Sequence, residues 1–92
     1  MLELMERNMT YEILKEALAV FGLSERATLR QIKARHRELV KTHHPDRTTA
    51  KDPDIMVRIN AAHKILMTYC ENYRFSFSEQ EFLEQHPEER LR

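Results

Sequence analysis

Residues 28–46, TLRQIKARHRELVKTHHPD, decide how this chain is read. Thr28 and Gln31 form a capping box, in which the Thr28 hydroxyl accepts from the third helical amide while Gln31 reaches back. From Leu29 the pattern is helical. At 100° per residue, Leu29, Ile32, His36, Leu39, Val40 and His43 share an arc about 100° wide. Arg30, Lys33, Arg37 and Lys41 share the neighbouring arc, about 80° wide, which a core cannot use. The helix is expected to end near His43, because Pro45 disfavours helical geometry at the residue before it. His44, Pro45 and Asp46 then present a titratable ring, a fixed turn and a carboxylate together, at the end of a basic face.

Outward from this stretch, the chain reads as helix on both sides. Ile13, Leu14, Ala17, Leu18 and Phe21 fall on one stripe and predict a first helix over 10–21, with Gly22 as its stop. A ten-residue loop over 44–53 precedes a third helix over 54–73. Its stripe is Ile55, Ile59, Ala62, Leu66, Tyr69 and Tyr73, widened by Met56, Ile65 and Cys70. Ser78 and Glu81 form a second capping box and predict a short fourth helix through Phe82 and Leu83, ending before Pro87, with 88–92 frayed. The long helices two and three, joined by a short loop, are expected to pack as an antiparallel hairpin, with helix one across them and helix four against their far end. The organisation expected is an N-terminal extension over 1–9, a core over 10–75, and a short helix and tail over 76–92. Met1, Met5 and Met9 are all possible starts.

Composition agrees with an all-α domain. Ninety-two residues suffice for a single modest core, and one glycine with three prolines leaves little turn chemistry for hairpins. The lone Cys70 excludes an intramolecular disulfide and a Cys-based zinc finger, and its place in an apolar pattern reads as a buried thiol. No apolar run approaches the ~20 residues of a membrane span, and Glu3 and Glu6 do not suit a signal peptide. A cytoplasmic protein without membrane association is expected. Net charge is zero, yet residues 28–51 carry a local +5 and residues 71–92 a local −3. A basic centre in a neutral chain suggests an acidic partner surface.

These motifs resemble the J domain of DnaJ-type co-chaperones. Phe21-Gly22-Leu23-Ser24 is similar to the family's "LGVS", and Ile32-Lys33 with Arg37 and Leu39 to the "IKxxYRxL" of its second helix. His44-Pro45-Asp46-Arg47 matches the family's loop and the basic residue after it, and Ile59-Asn60, Ala62 and Leu66 resemble "INEAYxxL" in its third helix. The resemblance covers about residues 10–75. Thr48 departs from the usual Asn, His36, His43 and His63 stand where Tyr is common, and Arg35 replaces a small Ala. The ending "KRxxYD" is only loosely echoed by Tyr73-Arg74-Phe75, and no Gly/Phe-rich or Cys-rich module follows, as in a divergent member or a fragment of a longer protein.

The resemblance implies a J-domain-like four-helix arrangement, with the His-Pro-Asp loop at the tip of the hairpin. It also implies a co-chaperone that stimulates ATP hydrolysis by a DnaK-type partner. Arg30, Lys33, Arg37 and Lys41 would dock on an acidic patch of that ATPase, with Arg47 and Lys51 as candidates to extend the basic surface. His44 and Asp46 would then contact polar and basic partner groups, with Pro45 fixing the turn. Catalysis would belong to the partner, so this chain is expected to be a monomer with no enzymatic activity and no cofactor.

Other readings of the same residues are weaker. A metal site among the histidines has no support in the spacing, because His36 and His43 lie two helical turns apart and adjacent His43 and His44 point about 100° apart. A small basic-helix module binding nucleic acid, or another protein, is the alternative. A pI near 7, the lack of an aromatic stacking platform and the lack of Asn or Gln on the basic stripe count against nucleic acid. His86-Pro87-Glu88 resembles the loop motif superficially but lacks the basic stripe, and reads as an ordinary turn.

Overall fold

Three of the four α-helices among the described residues begin where a side chain takes up a free amide. The computed structural model describes residues 9–43 and 54–91. Helix α1, Tyr11–Phe21, starts at Thr10, whose hydroxyl accepts from the Ile13 amide at 3.2 Å. It stops at Gly22, which takes the left-handed conformation (φ 65°) and donates its amide back to Ala19. Helix α2, Leu29–His43, starts with the capping box: the Gln31 amide donates to the Thr28 hydroxyl at 3.1 Å, and the Thr28 amide donates to Gln31 Oε1 at 2.7 Å. Helix α3 spans Ile55–Glu71, and α4 spans Glu79–Gln85 behind the Ser78 cap. The chain continues as a 3-10 turn, Pro87–Leu91, in place of the fraying expected there.

Helices α2 and α3 form the antiparallel hairpin, and α1 packs across both, principally against α3. The core is Ala17 and Phe21 from α1, Ile32 from α2, and Ile59, Ala62 and Leu66 from α3. Phe21 and Ile59 are fully buried, each contributing about 1.5–3 kcal/mol of transfer free energy. Leu14, Leu18, Leu39, Ile55, Met56 and Ile65 pack around this centre.

Three expectations are corrected. Tyr69 and Tyr73 continue the apolar stripe of α3, yet they are 44% and 54% exposed. Periodicity marks a face, not the presence of something to cover it, and the helix already ends at Glu71. Leu29, at the edge of α2, is likewise exposed. Helix α4 buries none of its residues, and Phe82 is half exposed, so the cap produces a helix without a packed face.

Candidate partner-docking face

The register of α2 is set by Ile32, which is 5% exposed and turned into the core, with Leu39 and Val40 half-buried beside it. This orientation forces Arg30, Lys33, Arg37 and Lys41 outward, and all four are exposed. Arg30, Lys33 and Arg37 line one shallow hollow together with Leu29, and Lys41 continues the row one turn on. At 1.5 Å per residue the row is about 16 Å long. Successive members stand three or four residues apart, where like charges repel by about 0.2–0.5 kcal/mol per pair. Lys41 and His43 offset part of this cost, since they lie in the last turn, where the helix dipole favours positive charge. The hollow at Leu29 adds a small apolar floor to a cationic rim, which suits an acidic protein surface.

His44, Pro45, Asp46 and Arg47, with Lys51, lie outside the described residues. The basic row is therefore the part of the site whose geometry can be stated. His44 follows directly on His43, the last residue of α2, so the row leads along the helix to the loop sequence. His86, the internal counterpart, is an exposed C-cap whose Nδ1 lies 3.4 Å from Glu88, a local contact within the turn.

Residues that the sequence had not marked hold the frame of this face. Arg35 lies beside the basic row but turns back to α1, donating from Nε to the Phe21 carbonyl at 2.7 Å, and its guanidinium stands 3.9 Å from Glu38. It ties the end of α1 to the middle of α2. The signal was the long cation at a position where the resembling family has Ala. His36 Nε2 is buried without a hydrogen-bond partner. Its ring instead stacks on His63 of α3, with centroids 3.8 Å apart. The Cys70 thiol is pushed up by burial and then by Glu71, which keeps it protonated and poorly nucleophilic. No helix among the described residues is long and apolar enough to cross a membrane, and those residues contain no group of three or more potential metal ligands.

A helical hairpin braced by a crossing helix, with a row of exposed cations along α2, defines a small all-α domain. The model of the DnaJ domain family matches residues 10–73, and the chain belongs to that family. It is similar to the chaperone protein DnaJ of Ureaplasma parvum serovar 3, with 43% identity over 47 residues, a stretch covering 51% of this chain and 12% of that much longer protein. No solved structure matches it significantly.

Proposed function

We propose that this chain is the ATPase-stimulating J domain of a co-chaperone. Arg30, Lys33, Arg37 and Lys41 dock on an acidic patch of a DnaK-type chaperone, and the His44-Pro45-Asp46 loop, with Arg47 after it, accelerates that partner's ATP hydrolysis. The observation that carries the reading is the exposed cationic face of α2 within a DnaJ domain match that runs through the loop sequence. The chain supplies binding free energy and the partner supplies the chemistry. By binding the hydrolysis-competent state of the ATPase more tightly, the J domain shifts the partner's population toward it.

The test is single-turnover ATP hydrolysis by a DnaK-type chaperone with and without the protein. Addition of the protein is expected to raise the rate, and His44→Gln and Asp46→Asn to abolish the rise while leaving the melting temperature nearly unchanged. Lys33→Glu should lower affinity, chiefly through the association rate, and flatten its salt dependence. His86→Gln is the control and should change nothing. No acceleration by the wild-type protein, or loop variants that stimulate as well as wild type, would refute the co-chaperone reading.

A further inference from the structure

The docking face leaves one unusual cluster unexplained. His36 of α2 and His63 of α3 lie ring against ring, 3.8 Å apart between centroids and 8° from parallel. The Phe21 ring of α1 lies nearly parallel to both, at 6.1 Å from His36 and 6.4 Å from His63. Three flat rings from three helices thus meet where the half-buried contact of α2 and α3 borders the sealed Phe21. His36 Nε2 is sealed from solvent with no hydrogen-bond partner. A neutral imidazole can leave a bare acceptor nitrogen there, whereas an imidazolium must place an N–H donor there with nothing to receive it. Two charged rings at this separation would also repel each other directly.

We propose that the His36–His63 stack is a proton-sensitive latch between α2 and α3, which holds the hairpin while the rings are uncharged and loosens it on protonation in mildly acidic conditions. His63 faces His36 and Lys33 from α2 and Phe21 from α1. Arg35 follows on α2, with its guanidinium at the Phe21 carbonyl and Glu38 beside it. Burial holds His63 below its ordinary value of 6.5, and the positive charge of His36 and Lys33 adds to the effect. The sign follows from linkage. The unfolded chain takes up this proton at a higher pH than the folded one, so stability falls as the pH drops below 6.5 and levels off beneath the folded value. Loosening the hairpin would disturb the register of α2, on which the cationic row depends. The latch stands independently of the ATPase reading, because its test involves no chaperone.

The experiment is an NMR titration of the histidine rings of the full 92-residue protein from about pH 8 to about pH 5, with thermal and denaturant unfolding at each step. His63 is expected to titrate below its ordinary value of 6.5, and His36→Tyr to move it upward. His63→Tyr keeps a flat ring without a group that titrates near neutrality. It should flatten the pH dependence of unfolding by up to about tenfold in the equilibrium constant per pH unit across the window. Should His63 titrate at or above its ordinary value of 6.5, or should His63→Tyr retain the wild-type pH dependence, the latch does not exist. If His63→Tyr fails to fold, the titration of the wild-type rings decides alone.

Discussion

Helices α2 and α4 begin alike and end in different circumstances. Thr28 and Ser78 each accept the amide of the third helical residue, both at 3.1 Å. Yet Ile32 of α2 is 5% exposed, while Phe82 of α4 is 51% exposed. The caps differ only in how the cap residue's own amide is satisfied, by Gln31 at Thr28 and by the Ser76 hydroxyl at Ser78, and that cannot account for the difference. What α2 has and α4 lacks is a facing surface: Phe21 and Ile59 approach from two other helices and leave no room for water. Among the described residues α4 packs chiefly against Pro87–Leu91, with Phe82 leaning on His86 at 4.7 Å between ring centroids. A cap sets where a helix starts, whereas burial across elements sets what it is worth to the fold.

The sharpest way to break this contrast is to remove the same side chain from both regions. Phe21→Ala should cost about 3–5 kcal/mol by lost transfer free energy and an unfilled cavity, whereas Phe82→Ala should stay within about 0.5 kcal/mol. Denaturant unfolding measures both, and equal losses would mean that α4 is packed after all. Ile59→Ala should fall just behind Phe21→Ala, at about 2–5 kcal/mol. Next comes Arg35→Ala, which removes the charged donor that joins α1 to α2 at the Phe21 carbonyl. Its side chain is 40% exposed, so solvent screening brings the expected loss to about 1 kcal/mol. Its neighbour Arg37, turned outward, should cost almost no stability when replaced. The smallest effect separates the caps themselves. Thr28→Ala should lower global stability by about 1 kcal/mol, because α2 belongs to the cooperative core. Ser78→Ala should reduce hydrogen-exchange protection within α4 and leave the global transition in place.

Much of this molecule was legible before its structure. The capping box at Thr28, the cap at Ser78, the stop at Gly22 and the cationic arc of α2 follow from local rules, and the helices lie within two residues of the expected limits. The returning half of the box expected at Ser78 does not form, because the Ser78 amide donates to the Ser76 hydroxyl instead. Gly22 in particular adopts the positive φ that its place after α1 requires. The two tyrosines at the end of α3 were misjudged for an instructive reason. Tyr69 and Tyr73 satisfy the apolar period, but period is a property of one helix, and cover is a property of two. Arg35 stood out only as a long cation where the resembling family has Ala, and that substitution does not say that its guanidinium turns back onto a carbonyl fourteen residues earlier.

By itself, then, the sequence determined the all-α class, the helix boundaries, the register that places Arg30, Lys33, Arg37 and Lys41 outward, and the family to which the loop motif belongs. Those features depend on interactions within a few residues, where spacing and side-chain chemistry suffice. Only the tertiary structure decided that Phe21 and Ile59 form the sealed centre, that α4 has no buried face, and that His36 meets His63 across the hairpin. These depend on how three helices approach one another. Packing is a relation between surfaces distant in sequence, and no single helical pattern contains it.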